Sequence, residues 1–307
     1  ASASGFQSSA YGQSANASGE GSTATGTGAQ ATGVNSSAFG FNSQASGFLS
    51  TALGELAVAS GERATATGQN ADATGDLSSA YGSNAEATGD GSVAVGLNTG
   101  ASGFASTAIG AQTMASGIQG TAVGSFSSAS GFNASAYGVA ADASGVNSTA
   151  NGANATASGA NAVAVGNNST ASQSGAVAMG NGAQAISEQA VAIGEGAIAS
   201  GSTAVGGGAQ ATAANTAAFG QNAAATAESA TALGENSTAS FQGATAVGES
   251  AAATEANATA LGHNAAAQED GSIAAGSNAL ATAVDSAAFG SDSTADGVDS
   301  VAVGADA

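Results

Sequence analysis

An all-β solenoid is what the sequence predicts: a single-chain parallel β-roll of about 22 fourteen-residue rungs with two short strands in each. Three observations predict it. Glycine stands at every seventh residue from Gly5 to Gly166. The halves it bounds alternate between an apolar ending, as in SSAYG (8–12) and SVAVG (92–96), and a small hydroxyl ending, as in ANASG (15–19) and AVASG (57–61). Alanine stands two residues before the closing position of both halves, from Ala3 and Ala10 to Ala295 and Ala302. A unit this short buries nothing alone, so it must stack on its neighbours.

The first strand of each rung ends at a glycine of the series Gly12, Gly26, Gly40 and onward. Its alanine shares a face with the residue two places earlier, which is Ser, Ala or Thr and once Gly120. Side chains alternate with period two along a strand, and a face that never exceeds Thr in size is under a steric ceiling. That places Ala94, Ala101, Ala108, Ala115 and Ala122, with their equivalents, in a thin interior between two facing strands.

The first corner follows. Its closing glycines, among them Gly12, Gly96, Gly110, Gly206 and Gly304, are invariant along the chain. Two residues later the chain favours Asn, Gly or Asp (Asn42, Asn70, Asn84, Asn98, Gly182, Asn264), the types that tolerate the left-handed backbone of a tight corner. The second strand is short and carries Ser, Thr and acids outward, as at Ser18, Thr32, Ser46 and Thr74, so its outer face is expected to stay wet.

The second corner closes on glycine up to Gly159 and then changes: Gln173, Ser187, Ala213, Ala227, Phe241, Glu255, Glu269 and Ala283 stand in its place. This corner therefore tolerates a side chain. A stretch two residues short, Gly201 to Gly206, trims one turn but leaves residues 1–307 a single repetitive domain. Proline is absent throughout, as a rung that donates ladder hydrogen bonds requires.

One row of large apolar residues recurs opposite the inward alanines of the first strand. It comprises Tyr11, Phe39, Leu53, Tyr81, Val95, Ile109, Val123, Tyr137, Val165, Met179, Ile193, Val205, Phe219, Leu233, Val247, Leu261, Phe289 and Val303. Facing outward, it is a stripe larger than a soluble monomer exposes. Covering each member contributes roughly 1.5–3 kcal/mol, so the chain is expected to self-associate through this row.

Composition narrows the function. Collagen needs glycine at every third place and abundant proline, and a coiled coil cannot carry glycine at every seventh. With 21 acids, one basic residue and a net charge of −20, nucleic acid and anionic lipid are excluded as partners. No apolar run reaches membrane-spanning length, so this segment is not expected to insert. There is no cysteine to form a disulfide. The chain begins and ends mid-repeat, which reads as a segment of a longer protein.

The repeats SVAVG (92–96 and 300–304), STAIG (106–110) and STAVG (202–206) resemble the head repeats of YadA-like trimeric autotransporter adhesins, and the beat behind them covers nearly the whole chain. The resemblance implies a left-handed roll, three copies packed in parallel about one axis with the apolar row between them, and neck, stalk and membrane anchor outside this chain. It implies adhesion to host matrix, collagen included, to host cells or to other bacteria, at the tip of a fibre on a Gram-negative outer membrane. The poor early copies, such as STATG (22–26), and the strong acidity depart from the family pattern. An ice-binding solenoid and a phage tail-fibre shaft are the rival readings.

No catalytic, cofactor or metal residue emerges, and the chain reads as no enzyme. The Gly-rich corners at 26–28 and 206–208 lack the lysine of a phosphate-binding loop. His263 is the one histidine, at a corner, and no serine has a base to activate it. Glu55, Glu62, Asp72, Asp76, Glu86 and Asp90, and a denser set from Glu228 to Asp306, read as a solvated surface that keeps an apolar rod soluble. Phe6, Phe48, Phe104 and Phe132 alternate with Val34, Ile118 and Val146 at one corner position, a range of sizes that suits packing against a neighbouring subunit.

Overall fold

The computed structural model describes residues 1–307 as 44 short strands and no helix. Three-residue strands such as Val93–Val95 alternate with two-residue strands such as Gly100–Ala101. Each pairs in parallel with the strand one rung on, so Thr65, Ala66 and Thr67 sit beside Ser79, Ala80 and Tyr81, while Asp72 and Ala73 sit beside Glu86 and Ala87. The chain is thus a parallel β-solenoid of about 22 turns with two strands per rung. It divides into two units, Ala1–Ser158 and Gly159–Ala307.

Both units bury the same kind of core. The second residue of every strand from Asn16–Ala17 to Ala287–Phe289 is an alanine with essentially no exposed surface. Its inward companions are Ala, Ser or Thr, with Gly120 the one exception, and the largest fully buried side chains are Thr99, Thr113 and Thr216. Parallel ladders fix the reason: with two sheets only one small side chain deep, a longer one would have to push the sheets apart. Inward serines reuse the backbone locally, as Ser22 Oγ donates to the Gly19 carbonyl at 2.7 Å and Ser50 Oγ to that of Gly47 at 2.8 Å.

Corners explain the rest of the pattern. Gly96 adopts φ +139°, and a Cβ there would also lie 2.2 Å from the Gly110 carbonyl oxygen of the next rung. Two residues on, the chain turns left-handed at φ 53–54° at Asn84 and Asn98. The second corner uses the same left-handed position, filled by Asn35, Asn133 and Asn257 but also by Leu49, Leu77 and Arg63. Asparagines on successive rungs bond to one another, Asn70 Nδ2 to Asn84 Oδ1 and Asn84 Nδ2 to Asn98 Oδ1, each at 3.0 Å.

In the second unit the short stretch at 201–206 pairs Val191 with Thr203 and Ile198 with Gln210, twelve residues apart rather than fourteen. Only residues 200–202 separate strand Ile198–Ala199 from strand Thr203–Val205, so this corner has lost its left-handed residue. The ladder still closes, because the deletion falls between strands and leaves their register intact.

Candidate interaction face

The outward face of the three-residue strands carries a recurring row of exposed apolar side chains in each unit. In the first, Tyr11, Phe39, Leu53, Tyr81, Ile109 and Tyr137 are exposed and Val95 and Val123 half-buried. In the second, Met179, Ile193, Phe219, Leu233, Leu261, Phe289 and Val303 are exposed and Val165, Val205 and Val247 half-buried. Direct pairing sets each beside the next, as Tyr81 beside Val95 and Val95 beside Ile109. Tyr11 at 65% and Val303 at 72% exposure mark rungs with a neighbour on one side only. Thr25, Thr67, Asn151 and Ala275 sit in the same row and interrupt it.

A second row shares this face and escaped the reading of the sequence. The first residue of each three-residue strand also points outward, two residues before the apolar one. It is Thr or Ser in many rungs (Thr51, Thr65, Thr107, Thr231) but apolar at Val93, Val163, Val177, Val191 and Ile273, where it is half-buried. The signal was present as Val-Ala-Val at 93–95 and 163–165 and Val-Ala-Ile at 191–193, with apolar residues two apart. Where both rows are apolar the face is two side chains wide.

The inward alanines Ala94, Ala101, Ala108, Ala115 and Ala122 have no exposed surface. The corner glycines Gly12, Gly110, Gly206 and Gly304 lie at φ +126° to +139°, as Gly96 does. Phe6, Phe48, Phe104 and Phe132 project from the second corner and are exposed within the chain.

The acids take the opposite side or the corners. On the outer face of the two-residue strands Asp72 lies beside Glu86. Partial burial, with the Glu86 carboxylate next to it, pushes the Asp72 carboxyl above the usual range, and burial raises Asp142 likewise. In the second unit Asp292 accepts hydrogen bonds from Asn278 and Ser291, which lower its pKa. Corner acids cap the preceding rung, as Glu62 N donates to Asp76 Oδ1 at 2.8 Å and Asp76 N to Asp90 Oδ1 at 3.0 Å. Arg63 lies 3.7 Å from Glu62, an exposed pair. No group of three or more His, Cys, Asp or Glu is arranged to hold a metal ion.

The model of the YadA head domain repeat (2 copies) matches residues 3–29, 31–47, 45–71, 73–99, 101–127, 129–155, 157–183, 185–202, 200–223, 225–251, 253–279 and 281–307. The chain belongs to the YadA head-repeat family. That family is one of adhesins, bacterial surface proteins, and the repeat that defines it is the rung described above. Among solved structures the chain is similar to the collagen-binding domain of the Yersinia adhesin YadA, at 25% identity and a TM-score of 0.26 over 48% of this chain and 68% of that one. None of the curated proteins matches.

Proposed function

We propose that this YadA head-repeat chain is the adhesive head of a homotrimeric autotransporter, exposed at the tip of a fibre anchored in a Gram-negative outer membrane. The observation that carries the reading is the outward apolar row on the three-residue strands, from Tyr11 to Tyr137 in one unit and from Val165 to Val303 in the other. Water-exposed rows of Leu, Phe, Tyr and Ile are costly, and a parallel copy offers the same row at the same spacing. The second row, apolar at Val163, Val177 and Val191, widens the surface a partner copy covers.

Three copies leave the polar outer faces of the two-residue strands to contact host matrix, host cells or other bacteria. Weak contacts repeated over three faces and many fibres add up through avidity. Collagen is the ligand named for the similar Yersinia domain, and it belongs in the first panel of ligands. A charge of −20 per chain repels nucleic acid and anionic membranes. The reading assigns the chain no enzymatic role and no cofactor.

Sedimentation equilibrium decides the assembly. A trimer is expected, and Leu233→Asp with Val247→Asp is expected to dissociate it, since each places a charge in an apolar contact. A stable, folded wild-type monomer would sink the reading. Adhesion of the intact assembly to immobilised collagen, fibronectin and laminin, and to itself, then tests the activity.

A further inference from the structure

The outer face of the two-residue strands in the first unit carries Val58, Asp72, Glu86, Gly100, Met114 and Ser128 on successive rungs. Gly100 is a gap in that row. A Cβ built there would meet nothing within 4 Å, and no left-handed backbone demands the glycine. An open recess of about 320 Å³ lies over it, bounded by Glu86 and Met114 along the row and by Asn84, Asn98 and Gln112 at the corner.

Its chemistry selects a ligand class. The asparagine ladder runs from Asn70 through Asn84 and stops at Asn98, because Gln112 occupies the next rung. Asn98 Oδ1 accepts from Asn84, and its Nδ2 hydrogens have no protein acceptor. The recess therefore offers amide donors at Asn98 and Gln112, a carboxylate acceptor at Glu86, and an apolar wall at Met114, which is 57% exposed. It is a poor cation site, since the Asn84 and Asn98 amide oxygens already accept ladder hydrogen bonds and leave only the Glu86 carboxylate and the Gln112 amide, where a hard cation calls for several more oxygen ligands. An anion meets Glu86 and a strongly acidic chain, and an apolar molecule leaves the amides unpaired.

We infer that the recess at Gly100 holds one ring of a neutral glycan, its vicinal hydroxyls hydrogen-bonded by Glu86, Asn98 and Gln112 and its carbon face against Met114. The size suffices: the recess of about 320 Å³ is open on one side, and a single hexose ring is a small, compact ligand. The inference rests on the adhesive reading, for which it names a class of target. One such site per chain binds weakly, and multivalent presentation makes it measurable.

The test is a printed array of neutral, sialylated and sulfated glycans probed with the fluorescently labelled assembly. Gly100→Gln obstructs the recess with a side chain that this row already carries at Gln30 and Gln44, so the fold is retained. Ser128→Gln, two rungs on in the same row, is the control. The expected result is retention of at least one neutral glycan, lost at least tenfold in Gly100→Gln and unchanged in Ser128→Gln and in EDTA. Retention of none, retention of acidic glycans only, indifference to Gly100→Gln, or loss in EDTA would each overturn the inference. Adhesion to the matrix panel, measured on the same preparations, separates this failure from failure of the adhesive reading.

Discussion

The two units close their second corners differently. In Ala1–Ser158 that position is glycine in every rung, and each glycine's N–H shares an acceptor with the residue before it, as Ser18 and Gly19 both donate to the Ala31 carbonyl, at 3.0 and 3.4 Å. A Cβ on Gly19 would lie 2.0 Å from the carbonyl oxygen of Gly33. In Gly159–Ala307 the position is mostly filled, and where Ala213 and Ala227 stand only the residue before them donates, Thr212 to Ala225 and Thr226 to Ala239, both at 3.1 Å. The requirement runs one way along the stack. Glycine lets a corner approach the next rung until its N–H shares an acceptor there, and Gly201 does so against a rung that carries Ala213, sharing the Ala211 carbonyl with Ser200 at 3.2 and 2.9 Å. The first corner allows no such choice in either unit, because its glycine is also fixed by backbone conformation.

The largest expected effect tests what the units share. Gly96→Ala in the first and Gly234→Ala in the second place a side chain at φ +139° and within 2.2 and 2.3 Å of the next rung's carbonyl oxygen. Strain and overlap together should cost about 4 kcal/mol at either site, read as matching drops in chemical-denaturation midpoint. Unequal costs would break the claim that the first corner is the same everywhere. Next come the interiors. Ala108→Leu and Ala232→Leu replace side chains with no exposed surface and should each cost about 3 kcal/mol, while Val95→Leu on the outward face should leave the midpoint nearly unchanged. Indifference of either alanine to leucine would show that its unit has room the steric ceiling denies.

The third pair separates the units. Gly117→Ala meets the Gly131 carbonyl oxygen at 2.0 Å without any φ constraint and should cost about 2 kcal/mol. Ala227→Gly relieves nothing and adds unfolded-state freedom, for a loss of about 0.5–1 kcal/mol. Equal losses would mean that the two kinds of corner are one.

The smallest effect is one of sign. Asp72 in the first unit has its pKa raised by burial and by Glu86, so its charged form opposes folding at neutral pH, and that opposition is relieved as pH falls through the raised value. Asp72→Asn should therefore raise Tm slightly at pH 7 and lose that advantage as pH falls through the raised value. Asp292 in the second unit has its pKa lowered by Asn278 and Ser291, so it contributes stability above its unfolded pKa that is lost as pH falls through the lowered one. Asp292→Asn should lower Tm slightly at pH 7. The same sign for both at pH 7 would remove the contrast.

Sequence by itself determined the rung. The alanines at fixed spacing, the size limit beside them and the glycine and asparagine corners are local demands, each imposed on one residue by period-two alternation or by a left-handed backbone, so each is written in residue type. The outward apolar row was legible for the same reason. What only the tertiary structure decided depends on residues fourteen apart in the chain and adjacent in space. The recess at Gly100 exists because Glu86 and Met114 stand on either side of it and the asparagine ladder ends at Asn98. Gly117, which looks like any corner glycine in the sequence, is needed because of where the Gly131 carbonyl lies, not because of its own φ. Asp72 and Asp292 differ in sign through the surroundings stacking gives them, burial and then the Glu86 carboxylate for the one, the Asn278 amide for the other. Local conformation is encoded residue by residue, whereas a contact between rungs belongs to the stack and takes its value from both partners.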